Sequence, residues 1–337
     1  MKVTIQDVAK KAGVSISTVS RVLNGNYTQT TKETKERVQQ VISELNYYPN
    51  PMARGLKQME TKIIGIVLSN LRNPFWSMVL EGVEDTCRKS GYSLMICNSN
   101  EDASREAELI KGFKNRQVDG IIVNPTSKNN KLFKEMIEKH YPLIAINRLI
   151  EGLDVEVDSV IVDNIKGAKL AVNHFVQTGK RNIVAFAYEP QGVSTWRDRI
   201  IGFKEALSEH GIKVHDRSVI EVENKTGKVK KAVTEYFRTN NSTEAIFSTN
   251  NMMSLEILES LKELNIKIPD DIALIGYDET DWSKHLNPPL TTIKQPAYES
   301  GVIAAKNLIK KINSKSKRKP KTVVLEPELI VRESSGS

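Results

Sequence analysis

The pattern of apolar and polar positions changes near residue 60, from helical spacing to a long alternation of strands and helices. Before that point, apolar residues recur every three or four positions, as in amphipathic helices. After it, short and nearly continuous apolar runs alternate with amphipathic segments, which is typical of parallel sheets covered on both faces. More than eight such runs indicate two sheets. The pattern therefore predicts an N-terminal all-α head followed by an α/β core of two parallel-sheet lobes.

The predicted strands of the core are IIGIVL (63–68), SLMICN (93–98), GIIVN (120–124), PLIAIN (142–147), SVIVD (159–163), NIVAFAY (182–188), EAIFST (244–249), IALIGY (272–277) and TVVLE near the end. We expect a helix-turn-helix head over 1–48 and a hinge helix and linker over 49–60. The core would then span 61–337. Within it we assign about 61–160 and 293–322 to lobe 1, and about 161–292 and 323–332 to lobe 2.

The head begins with two short predicted helices joined by a glycine-containing turn. Thr4 and Asp7 stand three residues apart, close to a capping-box arrangement, and Gly13 suits the bend that ends the first helix. Ser15 is placed to cap the second helix by accepting a backbone hydrogen bond. The buried stripe of that second helix comprises Val19, Val22 and Leu23.

A third helix is predicted after Thr30–Thr31, with Glu33 in capping-box position. Three helices in this arrangement describe a helix-turn-helix, whose second helix enters the major groove and shows its N-terminal residues to base edges. A plain three-helix bundle with a polar second helix would give the same pattern. The residues predicted to bind DNA from this part of the chain are Thr4, Ser15, Ile16, Ser17, Thr18, Ser20, Arg21 and Asn24.

The segment after the third helix favours the DNA-binding interpretation. Asn50 is a good cap, Pro51 suits a first helical position, and Ala53 and Leu56 follow on one side. A helix of about two turns that contains Gly55 is marginal in water, so we expect it to order on docking. Leu56 would then wedge between base pairs in a minor groove, with packing against the neighbouring domain as the alternative.

These two segments, DVAKKAGVSISTVSRVLNG and ELNYYPNPMARGL, resemble the DNA-binding head of the LacI/GalR family of bacterial transcription regulators. In that family the hinge helices of two subunits pair in the minor groove at the centre of a palindromic operator. The resemblance places Leu56 at the wedge leucine, and Ile16 and Ser17 at the base-reading pair. It implies a homodimer that binds double-stranded operator DNA.

The core also resembles this family, through GAKLAVNHF after Asp163-Asn164, RIIGF (199–203), IPDDIALIGYDE (268–279) and NPPLTTIKQP (287–296). The family core is related to periplasmic sugar-binding proteins and holds a small effector between its lobes. Ligands of open α/β sheets lie beyond the carboxyl ends of the strands, where this chain carries many polar residues. The effector-binding residues that we predict are Phe75, Trp76, Asn124, Asn147, Arg148, Arg197, Arg199, Asn250, Asp278 and Gln295.

This predicted pocket departs from the family pattern in its charges. Asn147 and Asn251 stand where the family often has aspartate, and NKT (224–226) stands where it usually has an aromatic residue. Because arginines remain nearby, we favour an anionic effector, such as a sugar acid or sugar phosphate. The alternative is a neutral sugar, with Arg148, Arg197 and Lys225 solvated or paired elsewhere. For Arg199 and Asp278, the alternative to ligand contact is a structural ion pair.

Composition narrows the class of protein. The 337 residues carry a formal net charge of +8, and residues 1–60 contain nine Lys/Arg against five Asp/Glu, a mild bias toward polyanions. The two cysteines, Cys87 and Cys97, form no CxxC pair, and both suit core packing. No export signal, long apolar run or catalytic motif is present, so we expect a cytoplasmic protein that is not an enzyme and has no membrane partner, metal or cofactor.

The predicted function is a repressor of carbohydrate-utilisation genes, released from its operator by a sugar or sugar-acid effector. A regulator controlled by a phosphoprotein co-repressor is the first alternative. A sugar-binding transport receptor is the second, although it would need an export signal and no DNA-binding head.

Overall fold

The computed structural model describes residues 3–23, 25–27, 30–47, 60–314 and 318–336. It divides into two compact units, with the boundary between Thr61 and Lys62. The first unit contains the three predicted helices, which we label α1 (Ile5–Ala12), α2 (Ile16–Leu23) and α3 (Lys32–Glu44).

Local hydrogen bonds define the ends of these helices. Thr4 and Asp7 form the predicted capping box, with the Thr4 amide donating to Asp7 Oδ2 at 2.8 Å. Gly13 ends α1 with a φ of 63°, in the left-handed region that glycine adopts without strain. The cap of α3 is Thr31, whose hydroxyl accepts from the Thr34 amide at 3.2 Å, rather than the predicted pairing of Thr30 with Glu33. Val8, Val19 and Val38 meet in a fully buried centre.

The second unit contains two six-stranded sheets, one in each lobe. Lobe 1 has the strand order β11-β5-β4-β3-β1-β2, and its strands are β1 (Ile63–Leu68), β2 (Ser93–Asn98), β3 (Gly120–Val123), β4 (Leu143–Ile146), β5 (Ser159–Val162) and β11 (Thr322–Leu325). Its helices are α4 (Phe75–Lys89), α5 (Ala103–Asn115), α6 (Asn130–Glu138) and α11 (Ala297–Asn313). All pairings in this sheet are parallel.

Lobe 2 has the strand order β12-β10-β9-β8-β6-β7, and its strands are β6 (Ile183–Tyr188), β7 (Val219–Val222), β8 (Ala245–Ser248), β9 (Ala273–Tyr277), β10 (Thr291–Lys294) and β12 (Glu328–Ile330). Its helices are α7 (Asn164–Gln177), α8 (Ser194–Glu209), α9 (Lys228–Phe237) and α10 (Asn251–Glu263). Only β12 runs antiparallel to its neighbour among the described strands. The predicted pair of parallel-sheet lobes is therefore confirmed, although β7, β10 and β12 were not predicted.

The sheets correct two of the predicted lobe boundaries. β10 lies wholly in the lobe 2 sheet, although 293–322 was assigned to lobe 1. β11 pairs with β5 in lobe 1, although 323–332 was assigned to lobe 2. An apolar run identifies a strand, but it does not say which sheet the strand joins. The chain thus crosses between lobes near residues 163, 295 and 326.

Two glycines allow the closest helix packing in lobe 1, between α4 and α11. A Cβ at Gly301 would collide with the Val79 carbonyl oxygen, and a Cβ at Gly82 would collide with that of Tyr298. The helices therefore touch through their backbones, which fixes α4 and its cleft-facing first turn against the sheet.

Candidate functional site

The N-terminal end of α2 presents an exposed polar surface with one apolar side chain. Ile16 is 45% exposed, and Ser15 and Ser17 are exposed beside it. The Ser15 hydroxyl lies 2.7 Å from that of Ser17 and 2.9 Å from that of Thr18, and it accepts from the Thr18 amide at 3.2 Å. Ser15 therefore caps the helix and orders its first turn. Because α2 packs into the head through Val19 and Val22, its first turn stays exposed to solvent.

The other predicted DNA-binding residues lie outside this exposed first turn. Thr4 is occupied in its capping box, while Ser20 and Arg21 are half-buried along α2. Asn24, Asn50, Ala53 and Leu56 lie outside the described residues.

A cleft lies between the two lobes of the core, at the carboxyl ends of their strands. It holds about 540 Å³ of empty space, including the part open to solvent. Eight of the ten predicted effector residues line it: Phe75, Trp76, Asn147, Arg148, Arg199, Asn250, Asp278 and Gln295.

Arg199 and Asp278 form the charged centre of the lobe 2 wall, and they are 4% and 3% exposed. The guanidinium of Arg199 lies over the Tyr277 ring at 3.6 Å. It donates to Asn164 Oδ1 at 2.8 Å and to the Thr249 carbonyl at 2.6 Å. Arg199 is therefore fixed on three sides, so it can present a cation to the cleft without reorganising.

Asp278 is held from both lobes. Gln295 donates to one carboxylate oxygen, and Asn73 of lobe 1 lies within 3.5 Å of the other. Burial raises the pKa of this carboxyl above its usual value, and the positive charge of Arg199 opposes that rise. The φ of Asp278 is 73°, an uncommon conformation for a residue other than glycine. Such conformations cluster at ligand sites, where surrounding contacts sustain them.

Arg148 is buried in the lobe 1 wall against the carboxylate of Glu101, which was not among the predicted effector residues. Glu101 receives two hydrogen bonds from Arg148, at 2.7 and 2.8 Å, and the guanidinium also faces the Trp196 ring at 5.2 Å. Glu101 follows β2 at the carboxyl end of the sheet, which was the available signal for it. Arg148 is therefore ion-paired with Glu101. The positive charge of Arg199 acts on Asp278 electrostatically, without an ion-pair contact between these two described side chains.

Aromatic rings line the cleft from both lobes. Phe75 and Trp76 begin α4 and meet edge to face, with their centroids 5.0 Å apart. Tyr188 and Trp196 line the lobe 2 side, with their ring centroids 5.3 Å apart, and neither was among the predicted effector residues. Rings on opposite walls can flank the apolar face of a flat, hydroxylated ligand.

Two of the predicted effector residues do not line the cleft. Asn124 is fully buried and donates to the Ile146 carbonyl at 3.0 Å, so its amide ties β3 to β4. Arg197 is paired with Glu151 of lobe 1 and with Asp198. Sequence position put both at strand or helix ends, but it did not reveal which way their side chains turn.

Several hydrogen bonds join the lobes across the cleft. Asn251 of lobe 2 donates to Asn73 Oδ1 at 2.8 Å. On another side, Ser127 donates to the Gln191 carbonyl at 3.1 Å and the Leu149 amide donates to Ser194 at 3.0 Å. These contacts are polar, and polar groups can separate into water at small cost.

The described ranges contain neither a candidate metal site nor a candidate membrane-spanning helix. No cluster of three or more His, Cys, Asp or Glu residues there could hold a metal ion. No described helix has the length and apolar character to cross a membrane.

Comparisons with known proteins match both units of the chain. The model for periplasmic binding proteins and the sugar binding domain of the LacI family covers residues 61–330, and that for bacterial regulatory proteins of the lacI family covers residues 4–50. The HTH-type transcriptional regulator KdgR of Bacillus subtilis (strain 168) is 33% identical over 335 residues, which are 98% of this chain and 97% of the relative. The ribose operon repressor of the same organism is 36% identical over 308 residues, 91% and 90% of the two chains. A solved complex of the transcriptional regulator CelR with cellobiose has a TM-score of 0.75 and 28% identity, covering 98% of this chain and 99% of that one.

Proposed function

This chain belongs to the LacI family of bacterial DNA-binding transcriptional regulators, and on that premise we propose that it represses carbohydrate-utilisation genes until a sugar enters its cleft. The observation that carries the proposal is that one chain joins a helix-turn-helix head to a two-lobed core with a polar, aromatic-flanked cleft. The first unit would bind the operator, and effector binding to the second unit would control the affinity for the operator.

In the proposed DNA complex, α2 enters the major groove and its first turn reads base edges. Ile16 is suited to a thymine methyl group, while Ser17 can donate to or accept from a base. A single head reads too few base pairs for a unique site, so we propose a homodimer on a palindromic operator. Leu56 and the rest of 49–60 keep the role given by the family resemblance, as a minor-groove hinge.

We propose a polyhydroxylated effector because the cleft offers both kinds of unsatisfied polar atom. Arg148 Nε is a buried donor and Gln295 Oε1 a buried acceptor, and neither has a partner among the described residues. A sugar hydroxyl both donates and accepts, so it can satisfy either atom. The solved complex of CelR with cellobiose provides a structural relative whose bound ligand is a sugar.

The charges of the cleft favour a neutral sugar over the anionic effector that the sequence suggested. That expectation rested on three arginines, of which Arg197 lies outside the cleft and Arg148 is neutralised by Glu101. The third, Arg199, lines the same wall as Asp278, whose carboxylate would repel a sugar acid or phosphate. A neutral ligand can hydrogen-bond to the arginines and to the carboxylates without adding charge.

The proposed switch is closure of the two lobes. A ligand that contacts both walls binds the closed form better than the open form and shifts the population toward it. The closed form would bind the operator more weakly. The effector would therefore lower the affinity for DNA, and DNA would lower the affinity for the effector by the same factor.

The first experiment is a thermal-shift titration of the full chain against neutral sugars, sugar acids and sugar phosphates. A ligand of the native state raises the melting temperature by mass action. We expect a selective rise with one neutral sugar, abolished in Asp278→Asn and retained in the matched control Asp281→Asn, since Asp281 is fully exposed. A rise with sugar acids alone would refute the neutral-sugar proposal. No rise with any compound would favour control by a phosphoprotein partner instead.

DNA binding is tested separately, by selecting duplexes from a random pool with the full chain. We expect a palindromic sequence to be enriched, and its affinity to fall when the active sugar is added. Enrichment of no sequence would refute the proposed operator function, whatever the cleft binds.

A further inference from the structure

The positive charge of the core is concentrated in one segment near its end. Residues 306–321 contain eight Lys/Arg and no Asp/Glu, and the net charge of the whole chain is +8. Residues 1–61 contribute nine basic against five acidic residues, an excess of four. Subtracting both contributions leaves −4 for the rest of the chain. Lobe 2 supplies none of the excess, because residues 163–295 hold eighteen basic and eighteen acidic residues.

Six of these eight residues lie in the described part of the chain, and two of them have a structural role. Lys311 Nζ lies 2.8 Å from the buried carboxylate of Asp158, and Arg318 lies 3.4 Å from it. The Lys321 amide also donates to Asp158, at 3.0 Å. One carboxylate thus fastens the end of α11 and the start of β11 to the sheet.

The remaining four side chains lack such a role. Lys306, Lys310, Lys319 and Lys321 are exposed, and the structure gives their ammonium groups no acidic partner among the residues it describes. Lys310 lies in the last turn of α11, where a cation stabilises the helix end. That effect does not extend to Lys319 and Lys321, which follow the helix. We call these four lysines the basic edge.

The basic edge is at the end of lobe 1 where the chain arrives from the head. The parallel strands of this lobe all start at one end of the sheet, β1 at Ile63 and β11 at Thr322. Residue 62 directly precedes β1, so the linker joins the core at that end. The end of α11 packs there too, since a Cβ at Gly120, the first residue of β3, would lie 2.9 Å from Leu308.

We propose that the basic edge is a second DNA-binding surface, which contacts phosphates of the duplex held by the head. This inference rests on the proposed operator function. A segment that carries eight Lys/Arg and no Asp/Glu matches a polyanion, and the linker tethers this end of lobe 1 to the DNA-bound head. Such contacts carry no sequence information; they add affinity and fix the position of the core on the duplex.

The test measures the salt dependence of DNA binding by the full chain. The variant is Lys310→Gln/Lys319→Gln/Lys321→Gln, and the control with equal net charge is Lys204→Gln/Lys213→Gln/Lys267→Gln, three exposed lysines of lobe 2. The probes are the selected palindromic duplex and a mixed-sequence duplex of equal length. Both variants change only exposed side chains, and thermal unfolding will confirm that they fold.

We expect the basic-edge variant to lower the slope of log K against log salt by about 0.9 for each phosphate that the removed lysines neutralise, on both duplexes. The control should keep the wild-type slope. A wild-type slope in the basic-edge variant, or an equally lowered slope in the control, would overturn the inference while leaving the operator function intact. Failure of the wild-type chain to select any operator would instead count against the function itself.

Discussion

Replacing Arg199 with methionine is expected to destabilise the core strongly, because it strands a buried carboxylate. Arg199 and Asp278 are 4% and 3% exposed, so water can replace little of the missing cation. Removing one member of a buried charge pair typically costs about 3–5 kcal/mol of unfolding free energy. Arg199 acts on Asp278 without an ion-pair contact, and part of its stabilisation comes from the bonds to Asn164 and Thr249. The two losses together should put Arg199→Met in the same range, although methionine fills a similar volume.

Neutralising Asp278 should cost less, because Arg199 keeps its bonds to Asn164 and Thr249 and its contact with the Tyr277 ring, and it should rescue part of the loss caused by Arg199→Met. Asparagine tolerates the φ of 73° at this position and removes the cost of burying a charge. In the Asp278→Asn background, Arg199→Met leaves only the Asn164 and Thr249 oxygens without their donors, about 1–3 kcal/mol. The two substitutions should therefore couple by about 2 kcal/mol.

Urea denaturation of the wild type, both single variants and the double variant measures this coupling. Additivity within about 0.5 kcal/mol would mean that the two side chains are independent, and the description of the cleft centre would be wrong. The result also affects ligand experiments. If Arg199→Met unfolds easily, weaker effector binding by that variant does not show that Arg199 touches the effector, and Asp278→Asn becomes the better variant.

The pH dependence of the same variants follows from the pKa of Asp278. Burial raises this pKa and Arg199 lowers it, so Arg199→Met raises it further. Between the unfolded and folded pKa values, the folded protein then binds more protons than the unfolded chain. Stability of Arg199→Met therefore falls as pH rises through this window and returns on acidification. The deficit relative to wild type should shrink as pH falls toward the unfolded pKa of an aspartate, about 4; a constant deficit would exclude Asp278 as its source.

Three further predictions concern the head, the helix packing and the edge of the cleft. Ile16→Ala should weaken binding to the selected operator by about 1–3 kcal/mol and leave mixed-sequence binding unchanged; equal losses in a competition assay would contradict base reading. Gly301→Ala should lower the free energy of unfolding by about 1–3 kcal/mol, because the new methyl group pushes α11 away from the α4 backbone. Gly112→Ala in α5 should raise it by about 0.5–1 kcal/mol in the same denaturation assay, because its methyl group meets only a flexible side chain. Arg197→Met should lower effector affinity less than about fivefold, because its half-exposed ion pair with Glu151 stabilises the contact between the lobes by at most about 1 kcal/mol. A larger loss of affinity by calorimetry would mean that this ion pair is a main stabiliser of the closed form.

Sequence reasoning worked where the interaction is local. The capping box of Thr4 and Asp7 and the turn at Gly13 each involve residues close together in the chain. Their geometry can therefore be predicted from the sequence spacing alone. Most strands of the core could also be predicted, because a strand buried on both faces is almost continuously apolar. The α3 cap was misplaced by one residue, since Thr30 and Thr31 have the same chemistry and only the packing of the helix selects between them.

Reasoning from sequence failed where partners are distant along the chain. Glu101 and Arg148 are 47 residues apart, and nothing near either residue indicates the other. The same is true of Arg197 and Glu151. Each arginine looked free in the sequence, and three free arginines suggested an anionic ligand. The pairing of two of them with carboxylates is what changed the proposed effector class.

The architecture of β1 limits how an effector could act on the head. This strand begins directly after the linker and ends at Leu68, next to Ser69 and Asn70 of the cleft wall, so it is the shortest covalent path between the two. It cannot slide or twist alone, because it is hydrogen-bonded to β2 along its full length and to β3 on its other side. Any signal that reaches the linker through lobe 1 must therefore move the whole sheet, together with the α4 and α11 pair packed on it. A rigid lobe turned by cleft closure satisfies this condition, whereas a local change at the ligand does not.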